Sequence, residues 1–373
     1  MAASAVGVIF SHIHEENVPE LVHRRTMASI PYGGRYRIID FALSNMVNSG
    51  ITTVGLSANN NYRSLIDHIG SGKDWDLARK DGGLILLPPF SENAEVYDNT
   101  RMEAISSLSG FLSRRNEKYV VLYDCDSVAK FDIKDIIRYH EEMDSDITIV
   151  TRKGIVEKNH DYLIVESDES GRIIDAKKVD RGSTKGEAQV SVGIMVFDRK
   201  FLLNLVNDSV AHGSRSFSKD IIMKQLDNLR IFSYDFKGYY AGIDSVAAYF
   251  KHNMELLNKD VRDELFSGRD IYTKVRDSAP SKYGSEAQVK NSLISDGCEI
   301  EGVVENSILF RGVRVGKGAI VRNSIVMQDS VISDGASIDC VITDKNVVSR
   351  PSVIWLVAKP FLILFKRVST CNM

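Results

Sequence analysis

The chain opens on a continuous apolar run, Ala5 to Phe10, with no polar position to face water, which predicts a strand covered on both faces. Apolar runs and helically spaced segments then alternate. Ile51–Ala58, Gly83–Leu87, Tyr119–Tyr123 and Asp146–Thr151 read as strands, while Tyr62–Ile69, Thr100–Arg114 and Ile133–Met143 carry helical spacing. Further on, Gln189–Phe197 reads as a central strand and Asp244–Leu257 as an amphipathic helix. This alternation predicts an α/β domain with a mostly parallel sheet and helices on both faces.

The pattern changes after about Asn258. Residues 260–287 are polar and poorly periodic and are expected as a linker. Beyond them the chain repeats: Asn-Ser followed by two apolar residues recurs at Asn291, Asn306 and Asn323, and Ile320, Val326, Ile332 and Ile338 are spaced by six. A hexapeptide period with aliphatic residues turned inward predicts a parallel β-helix. The expected division is an α/β domain over 1–259, the linker over 260–287 and a solenoid over 288–373. The apolar stretch Val353 to Phe365 is too short to span a bilayer and is broken by Lys359 and Pro360, so a buried terminal strand pair or a subunit contact is expected there.

Composition narrows the function classes. At 373 residues, 43% hydrophobic and 26% charged, the chain has room for two cores of ordinary globular character. A net charge of -3 argues against a general nucleic-acid binder. The opening MAASAVGVIF lacks a charged n-region and reads as a strand and not as a signal peptide. Cys125, Cys298, Cys340 and Cys371 are scattered with no Cys-x-x-Cys pair, which argues against a zinc site or disulfide framework and fits a reducing cytoplasm. Neither a nucleic acid nor a membrane is expected as a partner.

Three stretches carry candidate chemistry. Arg24 to Asn45 holds paired arginines, a Gly33-Gly34 turn and then an apolar segment with Arg37 and Asp40. Paired glycines beside basic residues let a backbone approach a phosphate, and equally suit a hairpin-like turn with solvated arginines. After the first strand, where a nucleotide-binding unit would place a glycine-rich turn, Ser11 to Asn17 has no glycine but two histidines and two glutamates. Its spacing matches no familiar metal pattern, so a polar loop is expected, bulky and acidic enough to repel a triphosphate. Finally, Asp124-Cys125-Asp126 lies at the carboxyl end of a buried strand, where α/β sheets place ligands and a carboxylate commonly holds a divalent ion; such aspartates also serve as caps and turn residues.

Taken together, GGRYRIIDFALSN at 33–45, the strand-end aspartate, SVGIMVF at 191–197 and the terminal hexapeptide repeat resemble the glucose-1-phosphate adenylyltransferase (ADP-glucose pyrophosphorylase) family, from Val6 to about Val348. The resemblance implies a nucleotidyltransferase-type, Rossmann-like α/β domain followed by a left-handed parallel β-helix. It also implies a reaction joining ATP and glucose 1-phosphate, with Mg²⁺, to give ADP-glucose and pyrophosphate.

Carried over residue by residue, the resemblance implies a degraded active site. Ser11 to Asn17 replaces the family's glycine- and arginine-rich loop, and Met27-Ala28-Ser29 stands where catalytic members have Lys-Pro-Ala. Losing that cation removes a fixed charge on which phosphoryl transfer depends. Cys125-Asp126-Ser127 keeps the first metal aspartate, but Gly242 stands where the second should be, with Asp244 displaced along the chain. Thr100 to Ala104 replaces a sugar-side motif, and the family's Glu-Lys pair falls at Lys178-Val179. Asn59 and Ser191 fall in the relic nucleotide and sugar pocket.

Arg24 and Arg25 match basic residues that the family uses for anionic sugar-phosphate activators, and Arg35 and Arg37 lie near them in sequence. Surface ion pairing is the alternative reading of these arginines. The whole pattern resembles GlgD-type regulatory subunits. That resemblance implies a catalytic GlgC-type partner in a hetero-oligomer, expected as a heterotetramer, a phosphorylated sugar effector, and Mg²⁺ supplied through the partner. An active sugar-1-phosphate nucleotidyltransferase is the alternative. A hexapeptide acyltransferase would need a histidine on the solenoid, and none lies beyond His252.

Overall fold

The computed structural model describes residues 4–58, 61–87, 104–106, 108–156, 162–179, 186–212, 216–356 and 363–365. They belong to two compact units. The first comprises Met1–Ser29, Ile38–Tyr240 and Arg269–Tyr272; the second comprises Ile30–Arg37, Ala241–Gly268 and Thr273–Met373. The second unit therefore draws two segments from the 1–259 stretch expected as one domain. The 260–287 stretch expected as a linker opens inside the helix Lys259–Phe266, started by Asn258, whose side-chain oxygen accepts the Asp260 amide at 3.0 Å.

Among the described residues, the first unit is built on a nine-stranded sheet. Ala5–Phe10 lies at its centre, buried at all six positions, and pairs in parallel with Thr53–Ser57 on one side and Tyr119–Asp124 on the other. Gly83–Leu87 extends the parallel order beyond Thr53–Ser57. On the other flank the long strand Gly186–Asp198 runs antiparallel to Tyr119–Asp124, Ile147–Val156 and Tyr162–Ser167, so this part of the sheet is mixed. The hairpin partner Ile173–Val179 was hidden in the sequence because it buries only every third residue, Ile173, Ala176 and Val179, and so shows no period of two. One face of the sheet packs Val6, Val8, Phe10, Leu122, Met195 and Phe197 against Leu202, Val206 and Phe217.

The helix Ile38–Asn48 explains why the 33–45 block is so distinctive. Its polar side chains Asp40, Ser44 and Asn45 are buried, and each satisfies a specific partner. Asp40 meets His68 Nε2 at 2.5 Å, and the Ser44 hydroxyl accepts the Tyr272 amide at 2.9 Å. Asn45 donates to the Ala129 carbonyl at 3.0 Å and to the Tyr123 hydroxyl at 3.2 Å, and accepts the Phe131 amide at 3.2 Å. A buried amide left without such a partner costs about 1–3 kcal/mol, which makes these residue types hard to exchange.

The second unit is a left-handed parallel β-helix with additions from earlier in the chain. Val304, Val321, Ile338 and Trp355 stack in register, one above another, at steps of 17 residues; the step below, Val289 to Val304, is 15. The strict six-residue register therefore does not hold. Val321 and not Ile320 fills the core, leaving five residues to Val326 on that side of the coil. The Asn-Ser repeat now has a mechanical meaning. Asn291, Asn306 and Asn323 turn the corner at φ 43°, 45° and 43°, a left-handed conformation that asparagine tolerates. The following serines form a ladder: the Ser307, Ser324 and Val341 amides each donate to the Ser292, Ser307 and Ser324 hydroxyl of the coil before, at 3.1 Å.

The apolar C-terminal stretch continues this solenoid. Ile354–Leu356 pairs in parallel with Ser337–Asp339 and Ile363–Phe365 with Val341–Thr343, so the two segments add to different sheets and do not pair with each other. Among the described residues no helix is long and apolar enough to cross a membrane, and Cys125 and Cys298 are free thiols.

Candidate functional site

The candidate site lies in the first unit, at the carboxyl ends of Ala5–Phe10 and Tyr119–Asp124, which are in register with Phe10 opposite Asp124. Open α/β sheets bind ligands at this end. Asp124 is fully buried, and the strand Gly186–Asp198 passes close over it. Gly193 makes the passage possible. Its φ is +77°, and a Cβ there would lie 2.7 Å from Asp124 Oδ2. The pairing with Ile147–Val156 shifts register between Ser191 and Met195 at this point. Ser191, expected in the relic pocket, sits at this irregularity with its hydroxyl accepting the Gly193 amide at 3.3 Å. Asn59, Arg101 and the stretch Thr100 to Glu103 lie outside the described residues.

The loop after the first strand reaches across this end of the sheet. His14, in the left-handed conformation at φ 66°, brings its Nδ1 to 2.7 Å from Asp126 Oδ2. Glu15 Oε1 accepts the Met27 amide at 3.0 Å, and the Ser11 carbonyl accepts the Ala28 amide at 3.1 Å. Met27 is completely buried in a 3₁₀ turn. An apolar side chain thus occupies the place where the resemblance implies a lysine. Burial pushes the Glu15 carboxyl up to about 7, against the Met27 amide, which favours the ionised form. Burial also lowers His12, outweighing the Ser57 carbonyl that favours its protonated form.

The donor set does not fit a protein-built magnesium site. Magnesium asks for several oxygen ligands in octahedral array, often from two carboxylates. Here Asp126 Oδ2 is engaged by His14, and no group of three or more His, Cys, Asp and Glu side chains able to hold a metal exists among the described residues. Gly242, at the position of the second aspartate, ends the strand Tyr240–Gly242 in the second unit, and the nearby Asp244 accepts from the Ser245 hydroxyl at 3.3 Å. Lys178 is exposed and Val179 buried on the hairpin strand Ile173–Val179.

The four arginines expected at an effector site divide between the units: Arg24 and Arg25 in the first, Arg35 and Arg37 in the second. Arg24 and Arg35 are exposed, and the Arg35 guanidinium lies over the Tyr36 ring at 5.7 Å from its centroid. Arg25 and Arg37 are buried.

The double glycine is a hairpin and not an open phosphate cradle. Pro31–Tyr32 pairs antiparallel with Tyr36–Arg37, and Gly33 and Gly34 make the turn at φ +58° and +85°. The helix Val246–Glu255 anchors it: the Gly33 amide donates to Asn253 Oδ1 at 2.9 Å, the Tyr32 hydroxyl to the His252 carbonyl at 2.9 Å, and the Tyr249 hydroxyl to the Pro31 carbonyl at 2.8 Å. A Cβ at Gly34 would lie 2.5 Å from Ser295 Oγ of the solenoid. Sequence reasoning missed both this anchor and the grip of His14 on Asp126. The missing glycines in 11–17 were the one visible sign that the loop departs from a glycine-rich phosphate turn.

Comparison with known proteins agrees with this architecture. Residues 20–259 match the nucleotidyl transferase family, and residues 278–354 match the GlmU-like C-terminal hexapeptide family. The glycogen biosynthesis protein GlgD of Bacillus subtilis (strain 168) is 33% identical over 92% of this chain and 90% of its own length. GlgD of Geobacillus stearothermophilus is 38% identical over 85% of this chain and 82% of its own. The glucose-1-phosphate adenylyltransferase of Geobacillus stearothermophilus is 34% identical over 79% of this chain and 77% of its own. The chain therefore belongs to the nucleotidyl transferase family, in the group formed by the glucose-1-phosphate adenylyltransferases and the GlgD glycogen biosynthesis proteins.

Proposed function

We propose that this chain is a regulatory, catalytically weak or inactive subunit of a glucose-1-phosphate adenylyltransferase in glycogen synthesis. The reaction, ATP and glucose 1-phosphate giving ADP-glucose and pyrophosphate, takes place on a catalytic GlgC-type partner that also brings the Mg²⁺. The observation that carries this reading is the 2.7 Å contact of His14 with Asp126. The family's metal aspartate is kept but engaged by the chain's own imidazole, while buried Met27 supplies no charge for a transferring phosphoryl group. The role left to the chain is to bias the conformational equilibrium of its partner within a hetero-oligomer, a heterotetramer on this reading. Arg24, Arg25, Arg35 and Arg37 are the basic residues offered to a phosphorylated sugar effector.

The test is to add the purified chain to a catalytic glucose-1-phosphate adenylyltransferase subunit and follow pyrophosphate release with and without sugar phosphates. A stable complex with altered rate or effector response is expected. Absence of complex and of any kinetic change would overturn the reading. Retention of Asp126 at the strand end favours a second reading, an active sugar-1-phosphate nucleotidyltransferase. It requires turnover by the isolated chain that Asp126→Ala abolishes.

A further inference from the structure

The strand-end site holds more polar groups than its own packing uses. Ser11 Oγ, His12 Nδ1, Asp126 Oδ1 and Ser127 Oγ are buried and have no hydrogen-bond partner among the described residues. Buried polar atoms are normally paired, so four such atoms on adjoining strand ends mark a surface shaped for a polar occupant. Against that surface sits a loop whose backbone is not relaxed. His14 is not glycine, yet holds φ 66°, a conformation that costs an ordinary residue about 1–2 kcal/mol. Contacts that hold the loop in place include His14 on Asp126, Glu15 on the Met27 amide, the Ser11 carbonyl on the Ala28 amide and the Ser11 amide on the Ser57 carbonyl.

We propose that the loop Ser11–Asn17 is a built-in plug, which seats the His14 imidazole on the Asp126 carboxylate in the place of a divalent cation. The site is then closed by the chain itself and is not merely short of ligands. An imidazole N–H and a cation compete for the same carboxylate oxygen, and a hydrogen bond to a charged group is among the stronger ones available. Restoring other catalytic groups while the plug remains would leave Asp126 engaged. This inference deepens the regulatory reading and rests on it for the site being retired, but its test needs neither a partner nor turnover.

The test is a Mn²⁺ titration of the full chain, followed by electron paramagnetic resonance of the free ion. His14→Gly removes the ring and suits the positive φ, so the variant keeps the turn. Relative to the parent chain it is expected to bind Mn²⁺ about tenfold more tightly, the scale of one charge-assisted hydrogen bond. The gain must disappear in the double variant His14→Gly/Asp126→Asn. Unchanged Mn²⁺ affinity in His14→Gly, or a gain that survives loss of Asp126, would overturn the plug. A chain that fails to influence any catalytic subunit while His14→Gly gains Mn²⁺ would overturn the regulatory reading and leave the plug standing.

Discussion

The Gly33 amide donates to the side-chain oxygen of Asn253, 220 residues further along the chain, at 2.9 Å. The amide that a phosphate cradle would present is already used, and Asn253 is fully buried, held in turn by donating to the Tyr249 carbonyl at 2.8 Å. Asn253→Ala removes the acceptor and leaves the Gly33 amide to find another. Amide exchange at Gly33 is expected to speed up markedly, with about 1–3 kcal/mol lost from the stability of the second unit. Unchanged exchange would show that the helix does not hold the turn.

Gly193 offers a sharper steric test. The residue holds φ +77°, and an added Cβ would fall 2.7 Å from the buried Asp124 carboxylate. Both the backbone and the space exclude a side chain, and neither can relax cheaply in a central strand. Gly193→Ala is expected to cost about 2–4 kcal/mol in chemical denaturation. A variant with parental stability would mean that the strand reroutes.

The loop carries a pH signature. Burial raises Glu15 from 4.5 in the unfolded chain to about 7 in the folded one, so the folded state binds this proton more tightly. Its contribution to stability is present below pH 4.5 and is lost as pH rises to about 7. Glu15→Gln keeps an acceptor for the Met27 amide and does not titrate. Melting temperatures of the two proteins are expected to lie close together near the acid end of that window, with the variant pulling ahead toward neutrality. A constant difference across the window would contradict the assignment.

Met27 separates one missing group from a retired site. The side chain is fully buried, so Met27→Lys places an ammonium where water does not reach, beside a Glu15 carboxyl that accepts the Met27 amide and that burial pushes up to about 7. The single change is expected to lower stability by several kcal/mol and to add no measurable pyrophosphate release. Catalytic groups act as a unit, and the loop and Gly242 remain unchanged. A gain above about tenfold would show that the lysine alone was limiting.

Much of this fold was legible because the signals are local. The buried first strand, the alternation of strands and helices and the Asn-Ser repeat each follow from a few neighbouring residues. What stayed hidden depends on separation or on choices between similar residues. His14 and Asp126 meet across 112 positions, and nothing in the loop's composition names its partner. Ile320 and Val321 are both aliphatic, so a period of six selected the wrong one of the pair. Arg24, Arg25, Arg35 and Arg37 are near in sequence, yet the chain passes from one unit to the other at Ile30.

The most direct test of the central claim is pyrophosphate release by the isolated chain, with ATP, glucose 1-phosphate and excess Mg²⁺, compared with its Asp126→Ala variant. The two are expected to give the same background rate, because on the proposed reading Asp126, held by His14, takes no part in turnover. Turnover on the order of 1 s⁻¹ or faster, abolished by the substitution, would place the chain among working nucleotidyltransferases and contradict the account.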